Sequence, residues 1–280
     1  MLSDALSPGL YIVATPIGNL SDLSARAAAT LRGASLILAE DKRVTAKLLA
    51  YVEATAPMAV YHDHSSEAER DRILARLGSE AVALVSDAGT PLISDPGYKL
   101  VRAARAAGHA VHTIPGACAA IAALTLAGLP TDRFLFAGFL PSKAKARGDA
   151  IAELGAIRAS LVFYESGPRL GEALAALAGG LGARDGAVIR EISKLHEETV
   201  TGTLTELAAR YADAPPKGEI VIVVGPPGEA DAASDDALDA ALREALETLT
   251  PSRAAAEVAA TLNVPRKRAY ARALALGASD

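Results

Sequence analysis

Short apolar runs alternate with amphipathic stretches along the first 130 or so residues of the chain. The runs at 10–14, 35–39, 82–85 and 109–114 read as buried strands. The stretches at 22–32, 42–50, 66–77 and 97–107 carry apolar residues at helical spacing. Strand and helix alternate, which predicts a largely parallel, helix-covered α/β sheet. A second series begins near Phe134, with strands expected at 134–138, 160–165, 186–191 and 219–224 and helices near 146–155, 168–179 and 204–211. The breaker-rich stretch Gly128 to Arg133 separates the two.

The longest uncharged stretch, Thr113 to Thr131, is interrupted by Pro115, Gly116, Gly128 and Pro130. About eleven good helix positions remain, short of the roughly 20 a membrane span needs. Ala117 to Ala127 therefore reads as a buried helix, and no membrane association is expected. Beyond Pro226-Pro227-Gly228 the chain turns Ala-rich and acidic, with Asp231, Asp235, Asp236, Asp239, Glu244 and Glu247 against Arg243 alone. That pattern predicts a linker and a solvated helix. Two short helices then flank Asn263-Val264-Pro265, at Ser252 to Leu262 and Arg266 to Leu276, with Ser252 and Pro265 in helix-start roles. The pair resembles a helix-turn-helix, and a plain helical hairpin fits it equally well. The expected organisation is an α/β domain over 8–128, a second α/β domain over 129–228, and an acidic helix with a helix-turn-helix-like tail over 229–280.

At 280 residues the chain is longer than the usual range of about 100–200 residues for one domain, in keeping with that division. A net charge of −5 gives no global footprint for nucleic acid, so a polyanion must meet a local basic surface. Cys118 is the sole cysteine, which excludes an intrachain disulfide and a cysteine-rich zinc site and fits a reducing, cytoplasmic setting. The opening MLSDALSPG has no signal-peptide pattern.

The most informative chemistry lies where apolar runs stop. Val82 to Val85 is followed by Asp87, Gly89, Pro91, Asp95, Pro96 and Gly97, loop chemistry at the carboxyl end of a strand, where open α/β sheets bind ligands. Leu10 to Ala14 runs into Thr-Pro-Ile-Gly-Asn, and Val111 to Ile114 into Pro-Gly-Ala-Cys. Both the P-loop and the dinucleotide fingerprint are absent. His62-Asp63-His64 and His196 lack metal-site spacing, so no metal is expected. Cys118 reads as a small packing residue before it reads as a nucleophile. What remains is a pocket of backbone and small side chains at Pro16, Gly18, Gly89, Pro91, Pro115 and Gly116, open to a flat or zwitterionic ligand. Asp87 is placed to receive an ammonium or hydroxyl donor. Ordinary tight turns account for the same glycines and prolines.

LYIVATPIGNLSDLSARAAATL (10–31), ILAEDKR (37–43), ALVSDAGTPLISDPG (83–97), IPGACA (114–119), FYES (163–166), REISKLHEE (190–198) and GEIVIVV (218–224) follow one another along nearly the whole chain. In these strings the chain resembles the tetrapyrrole methylase superfamily and, within it, the ribosomal RNA small subunit methyltransferase I family. The resemblance implies S-adenosylmethionine as cofactor, bound in the cleft between two α/β domains. It further implies methylation of the 2'-hydroxyl of a cytidine in 16S ribosomal RNA or the small subunit, a homodimer, and a helix-turn-helix-like tail. Lys42 stands where the family usually has threonine, Cys118 where serine is commoner, and Gly167-Pro168 where Pro-His is usual.

By resemblance the cofactor contacts are Ile17, Asp87, Thr90, Ala117, Cys118, Tyr164, Glu191 and Glu219. A ribose hydroxyl is a poor nucleophile, so a base is expected, with Glu40 preferred over Asp41, Asp95 and Glu165. Arg43, Arg190 and Lys194, and in the tail Arg266, Lys267, Arg268 and Arg272, are the candidates for RNA phosphates. A corrin- or porphyrin-precursor methyltransferase and a DNA-binding regulator are the competing readings.

Overall fold

The computed structural model describes residues 6–213, 215–228, 235–262 and 264–277. The first half alternates β1 (Gly9–Val13), α1 (Ala25–Gly33), β2 (Leu36–Ala39), α2 (Lys42–Tyr51), β3 (Met58–Val60), α3 (Glu67–Leu77), β4 (Ala81–Leu84), α4 (Tyr98–Ala106), β5 (Val111–Ile114) and α5 (Ala119–Leu126). Its five strands are all parallel, in the order β3-β2-β4-β1-β5. The continuous apolar runs of β1, β2 and β4 reflect burial on both faces. Tyr11, Val13, Ile37, Ala39, Ala81 and Ala83 pack under α1 and α2, whereas Leu10, Leu36, Leu38, Val82 and Leu84 pack under α3 and α4. The alternation between faces is the strand period of two.

The second half comprises β6 (Phe134–Phe139), α6 (Ala144–Gly155), β7 (Ser160–Ser166), α7 (Gly167–Leu181), β8 (Asp185–Arg190), β9 (Glu198–Thr203), α8 (Leu204–Tyr211) and β10 (Glu219–Val224). Here the sheet is mixed rather than largely parallel. In the order β6-β7-β10-β8-β9, only β6 and β7 run parallel. The seven residues between β8 and β9, 191–197, are too few for a parallel crossover, which takes a dozen or more. Leu161, Phe163, Val188, Ile220 and Ile222 face α7 and α8, while Val162, Ala187, Ile189, Val221 and Val223 face α5. The helix that ends the first series thus packs on the second sheet. Gly167 opens α7 against the carbonyl of Pro216, which a Cβ would strike, so the departure at Gly167-Pro168 suits close backbone packing here.

The carboxyl-terminal unit is three helices, α9 (Asp235–Leu246), α10 (Pro251–Thr261) and α11 (Arg266–Gly277). The expectation of a solvated acidic helix does not hold. Leu238 and Leu242 are fully buried against Ala255, Val258, Ala269 and Ala273, because α9 places its apolar residues at helical spacing on one face. Its acids also have partners beyond Arg243: Asp235 accepts from Arg268 at 2.8 Å, and Asp239 takes a fork from Arg272 at 2.7 and 2.9 Å. Thr250, not Ser252, is the N-cap of α10, with Pro251 in its first turn. Asp231, Asn263 and Asp280 lie outside the described residues.

Candidate active site

Because β4, β1 and β5 are neighbours, the loops leaving their carboxyl ends lie side by side. The backbones of Thr15 and Gly89 exchange two hydrogen bonds, at 2.8 and 3.1 Å. The Thr15 hydroxyl donates to the Ser86 carbonyl, and the Thr90 hydroxyl to the Ala117 carbonyl at 2.9 Å. The three strand ends singled out in the sequence therefore form one connected rim.

Facing this rim are the ends of β7 and β8 and the start of β10, and between them lies a cleft of about 440 Å³, within the range of roughly 300–1,000 Å³ usual for small-molecule sites. Ile17, Ile93, Phe139, Ile220 and Val221 give it apolar walls, and Glu40, Asp87, Asp95, Glu191 and Glu219 make it acidic. Leu92, Ser94, Glu191 and Ser193, which border it, have φ between 51° and 75°, left-handed backbone that costs non-glycine residues energy and clusters at functional sites.

Burial, then the Asp95 and Asp87 carboxylates, raises the Glu40 pKa above the ordinary glutamate range. Burial likewise raises Asp95. Asp41 behaves oppositely: it caps α2 by accepting from the Arg43 amide and binds the Arg43 guanidinium at 2.6 Å, which holds its pKa down at about 2. It is thus unsuited to be the base. Glu165 is 3% exposed. One of its oxygens accepts from the Ser166 amide and meets Arg169, while the other is buried with no hydrogen-bond partner.

Of the expected cofactor residues, Ile17, Asp87, Thr90, Tyr164, Glu191 and Glu219 line the cleft. Ala117 and Cys118 stand behind its wall, Ala117 holding Thr90 and Cys118 packed beside Tyr164. Asp87 accepts from the Asp41 amide at 3.0 Å. Among the phosphate candidates, Arg43 is tied to Asp41, Arg190 to Glu198 at 2.5 Å, and Lys194 to Glu191 at 3.2 Å and Glu219 at 3.8 Å. Arg268 and Arg272 are spent on α9. Arg266 and Lys267 are exposed, without an ion-pair partner among the described residues. Asp63 accepts from the Gly97 amide at 2.9 Å, a structural task inside the His-Asp-His cluster. Sequence reasoning missed Ile93, Phe139, Ile192 and Val221 as lining residues. Only the nearness of Ile93 to Asp95, of Ile192 to Glu191 and of Val221 to Glu219 signals any of them.

The acidic cleft with apolar walls thus lies at the carboxyl ends of a parallel sheet and is closed by a mixed sheet. The family model for Tetrapyrrole (Corrin/Porphyrin) Methylases matches residues 9–208, and that for the RsmI C-terminal HTH domain matches 231–277. The fold is shared with a uroporphyrin-III-C-methyltransferase from Thermus thermophilus crystallised with S-adenyl homocysteine. That match has a TM-score of 0.53 and 21% identity, over 78% of this chain and 97% of that one. A diphthine synthase gives a TM-score of 0.61 at 15% identity, over 77% and 89%. The Ribosomal RNA small subunit methyltransferase I of Erythrobacter litoralis is 56% identical over 98% of this chain and 97% of its own, and that of Mesorhizobium japonicum 46% over 97% and 93%. The chain belongs to the ribosomal RNA small subunit methyltransferase I family of S-adenosylmethionine-dependent tetrapyrrole methylases.

Proposed function

We propose that the protein methylates the 2'-hydroxyl of a cytidine in 16S ribosomal RNA, as a cytoplasmic homodimer. The carrying observation is the acidic 440 Å³ cleft in a chain that matches proteins bearing a ribosomal RNA methyltransferase name over 97% and 93% of their length. The residues fit S-adenosylmethionine: carboxylates would meet its ammonium and sulfonium charges, apolar walls would take its adenine, and the buried Glu165 oxygen without a hydrogen-bond partner would accept from a donor.

When bound, the cofactor supplies a sulfonium methyl, so that an O–C bond forms as the C–S bond breaks, leaving a neutral thioether. The protein positions and deprotonates. Ile17 and Thr90 hold the first-half wall, with Ala117 and Cys118 fixing Thr90 and Tyr164 from behind. Tyr164, Glu191 and Glu219 hold the opposite wall, and Asp87 receives a polar hydrogen. Most of the acceleration of such a displacement comes from alignment. Glu40 is the base: its raised pKa makes its carboxylate a better proton acceptor than an ordinary glutamate. Arg266 and Lys267 meet RNA phosphates. Arg43, Arg190 and Lys194 do so only by exchanging their present carboxylate partners.

The test is to map ribose methylation in 16S RNA from cells with and without the gene, and to incubate the purified protein with unmodified small subunits and labelled S-adenosylmethionine. A cytidine 2'-O-methyl group that is absent without the gene and restored by the protein is the expected result. Methylation of a base, or labelling of uroporphyrinogen instead, overturns it.

A further inference from the structure

A second cavity of about 380 Å³ opens beside the first, between the loop after β1 and one side of α2. Ile17, Asp87, Ala88, Lys194 and Glu219 line both cavities, so the two share one wall. The strap between β8 and β9 secures that wall: the Ser193 hydroxyl donates to Asp22, and the Lys194 stem lies across Gly18, where any Cβ would displace it.

A methyl transfer between two molecules needs two compartments that meet where the reacting atoms align. Given the cofactor site proposed above, on which this step rests, the second cavity is a compartment that shares its wall. Its sides suit one nucleotide. Ile17, Leu20, Val44 and Leu48 offer aliphatic faces to a flat base. Thr45 is 2% exposed and its hydroxyl has no hydrogen-bond partner. At the edge stands Lys47, exposed and without an ion-pair partner among the described residues.

We propose that this cavity receives the acceptor nucleoside of the RNA, flipped out of its stack. The base lies between the first loop and α2, the ribose turns to the shared wall at Asp87, and a flanking phosphate meets Lys47. A cavity of this size admits one extruded nucleotide and no stacked helix, the arrangement used by enzymes that act on single nucleotides.

The experiment compares Val44→Trp, which fills the cavity from a half-exposed position, Lys47→Glu, and Val44→Leu as a size control. S-adenosylhomocysteine affinity is measured by calorimetry, and methyl transfer is measured with small subunits from cells lacking the gene. Val44→Trp and Lys47→Glu should bind S-adenosylhomocysteine like wild type and raise the KM for subunits by about tenfold or more, and Val44→Leu should do neither. Wild-type KM in Val44→Trp or, should that variant not fold, in the surface variant Lys47→Glu overturns the proposal. Failure of the wild-type protein to bind S-adenosylhomocysteine overturns the cofactor site itself, and this proposal with it.

Discussion

Tyr164→Phe should loosen the joint between the two sheets. The Tyr164 hydroxyl, at the end of β7, accepts a hydrogen bond from the Ala120 amide at 3.2 Å. Cys118, the N-cap of α5, makes no side-chain cap of its own, so the phenol does the capping from another strand. Burial pushes its pKa well above the ordinary tyrosine value, and it stays a neutral phenol at any working pH. Phenylalanine keeps the edge-on ring contacts to Phe136 at 4.8 Å and Phe139 at 5.8 Å and deletes one oxygen. Ala120 is 3% exposed, and leaving a buried amide unpaired costs about 1–3 kcal/mol. For a chain of this size that is a fall in melting temperature of about 2–4 °C per kcal/mol. The loop preceding α5 holds Thr90 through Ala117, so the affinity for S-adenosylhomocysteine should fall as well. Calorimetry of unfolding and of binding reads both effects. Wild-type values for both would show that the contact neither caps α5 nor steadies the cleft.

Glu40→Gln should lower turnover while leaving cofactor affinity nearly intact. Because the folded protein raises the Glu40 pKa, wild-type stability falls as pH rises from the ordinary glutamate range through the folded value. The variant should therefore melt above wild type at neutral pH and match it below that window, and equal melting curves at both pH values would deny the shift. In the tail, Arg266→Ala with Lys267→Ala should reduce the log-log salt slope of RNA binding by about 0.7–0.9 per lost phosphate contact. Arg272→Ala should instead destabilise the three-helix unit through Asp239, and a variant that changes the slope but not the stability would contradict that assignment.

The parallel half was legible because burial on both faces leaves unbroken apolar runs at β1, β2 and β4, with Gly and Pro following β1 and β4. Two edge strands, β3 and β9, were not. β3 has three residues, none of them buried, and β9 alternates Thr with small residues over half-exposed positions, so neither carries a hydrophobic run. Missing β9 concealed the reversal of the second sheet, since only the short β8–β9 connection forces antiparallel pairing. The cleft rim was legible for the same reason as β1 and β4, being the turn chemistry at their ends. The opposite wall was read by family resemblance, because Ile192, Ile220 and Val221 look like any strand interior.

Charge counting misled most in the tail. Arg268 and Arg272 read as docking cations, and Asp235 and Asp239 as solvated acids, because a linear sequence does not show which helix faces meet. Packing α9 against α11 pairs them and leaves Arg266 and Lys267 for a partner. The same sorting explains how a chain of net charge −5 is suited to a polyanion. Glu40, Asp87, Asp95 and Glu219 line the cleft, where the proposed cofactor would bring a cation, and Asp235 and Asp239 of α9 are matched by arginines. The cations without ion-pair partners among the described residues include Lys42 and Lys47 on α2, Lys47 at the edge of the second cavity. Acids thus collect in the cleft or pair on α9, so that in the function proposed above electrostatic selection of RNA is decided by which few cations remain unpaired rather than by the net charge.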